Sequence, residues 1–404
     1  MKNSLYIVLI LPILFSACGK DKGQPTEPGS ATQFKWLRTS GASIVDEDGK
    51  VMILRGVNRS GLEYDKTGAG ISQAEIQYIV KEWKAQIIRL PFNQDWIMRD
   101  ANYVAYFKKV VSWITEAGAY VLLDLQWKNT TEKIPPIPDE EAVTMWKMVA
   151  ERYKDNPAIL FDIHNEAHDV SWDAWRQRAG QIIEAIQSVH PRALLFVSGL
   201  DWAYDLRGWG EAPLPYANVV YSTHPYPFKA EPWAWDKYFG QYVGKIPIFA
   251  GEFGGGDNDL EWGRRLLDYF SARQIGWTSW SWSNEPYLTQ NDRRTPTAFG
   301  KLVQAALAQP GGTTSLRLSQ LQVLYIGRDI ATIAWQTNEE SDSQVRWGLT
   351  TAYTDSVTAT AMLKSHSVKL TNLKSGTLYF FRAFSRDVSG YTASSRDSTF
   401  STLP

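Results

Sequence analysis

Eight short apolar runs recur along the first three quarters of this chain, six of them followed by a stretch with helical periodicity. The runs occupy residues 53–57, 85–90, 120–125, 159–163, 194–197, 219–222, 246–250 and 276–280. Helical patterns fall between and after them, at 73–84, 103–117, 140–153, 172–189, 259–272 and 296–307. Apolar runs of this length read as buried strands, and strands alternating with amphipathic helices argue for a parallel sheet. Eight such units are what a closed (β/α)8, or TIM, barrel requires, so a barrel over residues 34–309 is the expectation. Segments 44–45 and 51–52 flank the turn-rich Asp46-Glu47-Asp48-Gly49-Lys50 and predict a hairpin closing the barrel floor.

Beyond Pro310-Gly311-Gly312 the pattern changes. Short strand-like segments at 322–326, 331–335, 343–347, 367–370 and 379–385 follow one another with no helical period between them. Residues 315–404 therefore predict a small all-β, immunoglobulin-like sandwich, with Trp335 in its core and Tyr379 at a corner. Glu339, Glu340 and Asp342 read as a solvated loop.

The N-terminus has a different task. Lys2 precedes an apolar run, Leu5 to Phe15, that is too short to span a bilayer, and small residues Ser16 and Ala17 follow it. Cys18 is the one cysteine in the chain, so it has no internal disulfide partner. Leu14-Phe15-Ser16-Ala17-Cys18 resembles a bacterial lipobox, in which the cysteine becomes the lipidated first residue. The expectation is a signal over 1–18, a flexible tether over 19–33, and a lipid-anchored protein of the bacterial envelope, at the outer membrane or cell surface. An ordinary signal peptide and secretion is the other reading.

Net charge is −1, from 42 basic and 43 acidic residues, so no global field attracts nucleic acid, and membrane contact is expected only through the anchor. The unusual component is aromatic: 18 Trp, 19 Tyr and 16 Phe, more than a core consumes, and flat rings are the surface on which sugars stack.

Catalytic groups of such barrels sit at the carboxyl ends of the strands. Here those ends carry Asn58 and Arg59, Arg89, Gln126 and Trp127, then His164, Asn165 and Glu166. The later strands add Ser198 and Asp201, His224 and Tyr226, Glu252, and Trp280 and Trp282. Glu166 and Glu252 each close an apolar run, which suits a carboxylate to chemistry better than to packing. Two acids on facing strands are what glycosidic cleavage needs, one to protonate the leaving oxygen and one to meet the sugar cation. His164 and His168 are spaced like zinc ligands. However, the acid of the known motif directly follows its first histidine on a helix, so no metal or cofactor is expected.

Five segments, in order, resemble glycoside hydrolase family 5: Ile88-Arg89-Leu90-Pro91, His164-Asn165-Glu166, His224-Pro225-Tyr226, Ala250-Gly251-Glu252-Phe253-Gly254 and Trp280-Ser281-Trp282. The resemblance spans residues 34–309 and implies that Glu166 is the acid/base and Glu252 the nucleophile of a retaining enzyme. It further implies that Arg89 and Tyr226 orient Glu252, that Asn165 binds the sugar 2-hydroxyl, that His224 contacts the acid/base, and that Trp280 stacks under the sugar beside the cleaved bond. Two departures stand out: Gln126 replaces the usual histidine after strand three, and Ala167 replaces the usual proline after the acid/base. Both bear on subsite preference.

The C-terminal region resembles a fibronectin type III domain through Ile333-Ala334-Trp335-Gln336-Thr337 and the stretch from Leu370 to Tyr379. The functional expectation is a monomeric, endo-acting β-1,4-glycanase on polysaccharide, with β-glucan first, and β-mannan or xyloglucan as alternatives. A non-catalytic glycan-binding lipoprotein is the alternative of another class. Gln126, Trp127 and Trp280 would contact substrate. Trp127 and Trp282 fit either cleft or packing, and some of Trp172, Trp175, Trp233 and Trp235 are expected to form outer sugar subsites.

Overall fold

The computed structural model describes residues 34–229, 232–309, 316, 318–387 and 392–404. The signal-like segment, Cys18, the tether and the Pro310-Gly311-Gly312 junction lie outside the described residues, as does the side chain of Trp233.

A two-stranded sheet, β1 (Leu37–Ser40) and β2 (Ser43–Asp46), precedes the barrel. The expected hairpin is present but short: Val45 bridges Val51, the Asp46 N–H bonds the Lys50 carbonyl and the Met52 N–H the Ile44 carbonyl, each at 2.9 Å. Residues 44–45 also pair with 38–39 of β1 across the tight turn at Gly41.

Eight parallel strands follow: β3 (Arg55–Asn58), β4 (Ile87–Asn93), β5 (Tyr120–Trp127), β6 (Ile159–Asp162), β7 (Leu195–Ser198), β8 (Val219–Thr223), β9 (Ile248–Ala250) and β10 (Gly276–Ser279). Each pairs with the next in sequence, and β10 closes on β3 through Trp277↔Arg55. The helices begin where side chains can accept orphan amide protons. Ser72, Asp139, Ser171 and Thr297 cap the helices Gln73–Lys81, Glu140–Tyr153, Trp172–Gln187 and Ala298–Ala308.

The barrel interior is layered, and the layering positions the site. Near the strand starts, Leu54, Ile87, Leu122, Leu160, Phe196, Val220 and Phe249 form a buried apolar cluster with Leu37 and Ile44 of the hairpin sheet. Side chains alternate along a strand with period two, so the next inward layer comes two residues on. There Ile87 gives way to Arg89, Leu122 to Asp124, Leu160 to Asp162, Phe196 to Ser198 and Val220 to Ser222, all fully buried. An apolar plug thus supports a polar floor, and the strand ends above it are left for chemistry.

The C-terminal strands are β11 (Leu318–Ile326), β12 (Ala331–Gly348), β13 (Asp355–Leu370), β14 (Leu378–Arg386), β15 (Thr392–Ser394) and β16 (Ser398–Ser401). The separate segments expected at 331–335 and 343–347 are one strand, and the segment at 367–370 is the end of a 16-residue strand. Register shifts at Ser341 let β12 pair with β11 over its first half and with β14 over its second. The two halves share a core of Ile333, Trp335, Val345, Leu370, Phe381 and Phe400, giving a sandwich of antiparallel sheets. At the bend, buried His366 stacks on Trp335 and meets the hydroxyls of Thr337 and Ser343 at 2.7 and 2.8 Å.

Candidate active site

A cleft of about 720 Å³ opens at the carboxyl ends of the barrel strands. Its lining includes Gln126, Glu166, His224, Tyr226, Glu252 and Trp280, from five different strand ends. Nearest ligand atoms of Glu166, His224 and Glu252 all lie within 4.8 Å of one another.

Glu252 directly follows Gly251, and the glycine has a steric reason. A Cβ there would lie 2.4 Å from Ser222 Oγ and 2.8 Å from His224 Nε2, so only glycine lets the chain pass under the histidine. The Glu252 carboxylate accepts from Arg89 Nη1 at 2.6 Å and from the Tyr226 hydroxyl at 2.8 Å. One charged and one neutral donor therefore hold its two oxygens in a fixed plane.

Glu166 has no such charged donor. Its Oε1 lies 3.0 Å from His224 Nδ1, and burial pushes its carboxyl up to about 7 against the opposing charges of Arg89 and Lys229. Burial also holds His224 down to about 3, so the imidazole is neutral and contributes a hydrogen bond without charge. Two carboxyl groups of one chemical type are thus set in unlike environments, Glu252 on a guanidinium and a phenol and Glu166 on a neutral imidazole.

Arg89 is fully buried and reaches beyond Glu252. Its Nη2 donates to Asn165 Oδ1 at 3.0 Å and its Nη1 to Asn58 Oδ1 at 3.0 Å, with Gln126 Oε1 at 3.4 Å. Asn165 is thereby oriented with its Nδ2 buried and without a protein partner, a donor in reserve. Gln126 faces the cleft where the resemblance leads one to expect histidine, and its amide serves as an acceptor for Arg89. Trp280 lines the cleft, its indole N–H fixed on the Glu285 carbonyl at 2.8 Å.

Other aromatic positions divide by burial. Trp127 stands apart from the cleft lining, tilted against Tyr64 at 6.2 Å with Lys133 over its ring. Trp282 is fully buried against Trp83. Trp175 and Trp235 point into the core, and Trp172 packs edge-on against Trp209, so none of these three presents the free face expected of an outer subsite. The helix starts that carry them turn those residues inward, since an indole covers the sheet better than it covers water. His164 is likewise internal, with Nε2 on the Pro135 carbonyl at 3.1 Å.

The exposed rings are ones that sequence reasoning passed over. Trp202, 40% exposed, follows Asp201 on a turn in which residues 201, 202 and 203 all have left-handed backbone. It stacks on His168 at 3.7 Å with planes 7° apart, and its backbone N–H bonds the Ala167 carbonyl, tying it to the Glu166 loop. Phe228, 79% exposed, stacks on Tyr226. Both line the cleft with Lys229, which pairs with Asp201 at 2.8 Å. Their sequence signal was adjacency: each lies within two residues of a strand-end group already singled out.

Unlike carboxyl groups a few ångströms apart, on one guanidinium and one imidazole at the open end of a (β/α)8 barrel, are the equipment of a glycoside hydrolase. Residues 45–286 match the cellulase family, glycosyl hydrolase family 5, and the chain belongs to that family. It is 27% identical over 350 residues to an endoglucanase of Paenibacillus polymyxa, covering 70% of this chain and 87% of that one. It is 26% identical over 283 residues to endoglucanase E-5 of Thermobifida fusca, covering 64% of this chain and 59% of the relative. The β-glucanase SdGluc5_26A from Saccharophagus degradans has the same fold, with a TM-score of 0.63 at 21% identity over 71% of this chain and 97% of that one.

Proposed function

We propose that the protein is an endo-β-1,4-glucanase that hydrolyses β-glucan with retention, Glu252 acting as nucleophile and Glu166 as acid/base. The observation that carries this reading is the approach of the two carboxyl groups to within 4.8 Å. Retaining glycosidases hold theirs about 5–5.5 Å apart, whereas inverting ones need roughly 6.5–9.5 Å to admit a water between them. In the first step a Glu252 oxygen bonds the anomeric carbon as the glycosidic C–O bond breaks, and the Glu166 proton passes to the departing oxygen. In the second, Glu166 takes a proton from water, the water oxygen bonds the anomeric carbon, and the Glu252 ester is released. NMR of the first-formed anomer tests the reading: β-anomer product is expected from a β-linked substrate, and α-anomer would overturn it.

The glucan preference is supported by the endoglucanase names of the relatives. Trp202, tied to the Glu166 loop through the Ala167 carbonyl, and Phe228, stacked on Tyr226, offer stacking faces for sugar rings in the cleft. A purely glycan-binding role has less support, since a binder needs neither two close acids nor the recessed, raised Glu166.

The sandwich reads as fibronectin type III-like, supported by core Trp335 and by Tyr379, whose hydroxyl accepts from the Lys374 amide at 2.9 Å in the manner of a corner tyrosine. It contributes no residue to the cleft lining among the described residues. Its barrel-side neighbour is Asp268 of the helix Leu260–Arg273, pushed up to about 7 by burial beside Arg386 and Asp387. Truncation after Gln309 should therefore leave kcat on soluble glucan nearly unchanged, and a large loss from a folded barrel would show that the module shapes the cleft.

Among the described residues no helix is long and apolar enough to cross a membrane. Cys18 acylation would then be the means of holding a monomeric enzyme at the envelope, within reach of polymers too large to enter the cell, since paired acyl chains anchor far more firmly than one. Cell fractionation should find wild type with membranes and Cys18→Ala in the soluble fraction. Soluble wild type would favour plain secretion.

A further inference from the structure

Beneath the cleft, Arg89 serves more acids than the reaction uses. Asp162 Oδ2 lies 2.9 Å from Nε, Asp124 Oδ1 2.9 Å from Nη2, and Glu252 Oε1 2.6 Å from Nη1. With Asn58 and Asn165 accepting as well, four of the five guanidinium protons have an aligned acceptor besides the Asp124 ion-pair contact. Three carboxylates on one cation would leave two net negative charges in a fully buried layer, which the interior does not tolerate without strong compensation.

The backbone register says where the excess is relieved. Asp124 and Asp162 are Cα partners on adjacent parallel strands, so both side chains enter the barrel about one strand spacing, roughly 4.8 Å, apart. Asp162 receives an aligned hydrogen bond from Arg89 through Oδ2, but its Oδ1 has no donor. Neither oxygen of Asp124 accepts an aligned bond, its contact with Arg89 being an ion-pair approach only. A proton on Asp124 directed at Asp162 Oδ1 would supply the missing donor and remove one charge.

We propose that Asp124 and Asp162 form a proton-sharing pair under Arg89, with Asp124 holding the proton, and that they are positioning residues for the guanidinium that orients Glu252. The charged groups facing Asp124 are Arg89, Asp162, Glu252 and Glu63; those facing Asp162 are Arg89, Glu252 and Asp124 itself. Burial drives both upward against the pull of Arg89, Asp124 well above the carboxylate range and Asp162 to about 6. The single charge left on Asp162 anchors the Nε side of the fork, so that Nη1 stays aimed at Glu252 without the whole cation being spent on that carboxylate.

The role rests on Glu252 as nucleophile, whereas the shared proton does not, and the test separates the two. Full-length enzyme labelled with 13C at aspartate Cγ is silent for Glu63 and Glu166. One aspartate signal should keep its protonated position as the pH rises past neutrality, and should vanish in Asp124→Asn. Because asparagine mimics the neutral acid, Asp124→Asn should keep kcat and KM close to wild type. Asp162→Asn should lower kcat roughly ten- to a hundredfold with KM little changed, as misplacement of a reacting group does. A wild-type spectrum with every aspartate ionised above neutral pH would overturn the pair. So would a folded Asp124→Asn enzyme as impaired as Asp162→Asn. Failure of the nucleophile assignment is read separately, from Glu252→Gln.

Discussion

Glu252→Gln should remove turnover on every β-glucan, by about 10⁴-fold or more, as loss of a covalent nucleophile does elsewhere. The reason is local. The amide presents no anionic oxygen to the anomeric carbon, and its NH2 group takes the place of one of two acceptors, facing either Arg89 Nη1, now at 2.6 Å from Oε1, or the Tyr226 hydroxyl, now at 2.8 Å from Oε2. Folding should survive, because the substitution takes one charge from a buried cluster of three carboxyl groups around a single cation. Melting temperature is expected to hold or rise, as it often does when a functional charge is neutralised. Steady-state rates on soluble glucan, read beside a thermal melt, make the check. A folded variant with a rate within tenfold of wild type would remove Glu252 from the nucleophile's role.

Glu166→Ala should be nearly as damaging on polysaccharide and much less so on activated substrates. A general acid supplies about 10²–10⁴ in rate, and only a poor leaving group such as a sugar hydroxyl needs its proton. An aryl glycoside with a stable phenolate leaves without it, so formation of the glycosyl-enzyme should persist and added azide should intercept that intermediate. The pH dependence follows from the carboxyl raised to about 7 by burial. Glu166 must be protonated to act, so polymer hydrolysis should be sustained below about 7 and fall tenfold per unit above it, as the acid form is titrated away. That alkaline limb should be missing from the variant's profile on activated substrates. Equal losses on both substrate kinds, or a limb that persists without Glu166, would reject the assignment.

Much of this site was legible in the sequence because its parts are set locally. An apolar run ends where its strand leaves the barrel, so Glu166 and Glu252 declare themselves as strand-end acids before any contact is known. The same holds for His224, Tyr226 and Trp280, which line one cleft, and for Arg89, buried beneath it against Glu252. Less legible were the aromatic residues. Adjacency to a strand-end group marks Trp202 and Trp282 alike, yet Trp282 is core and Trp202 an exposed face.

The sequence by itself determined the eight strand positions, six of the helices between and after them, and the two acids at the ends of the fourth and seventh barrel strands. These follow from burial period and turn residues, which act over a few neighbours. Only the tertiary structure decided which side chains meet. Asp124 and Asp162 are single charged residues within apolar strands, and barrel closure and register make them neighbours of each other and of Arg89. In the same way the bulges at Ser341 fused two expected strands into one, and the stack of His168 on Trp202 placed an exposed indole beside Glu166. Such contacts join residues on different strands or loops. Their energies depend on shear and packing across the whole barrel, and no window of sequence contains both partners together with the geometry that joins them.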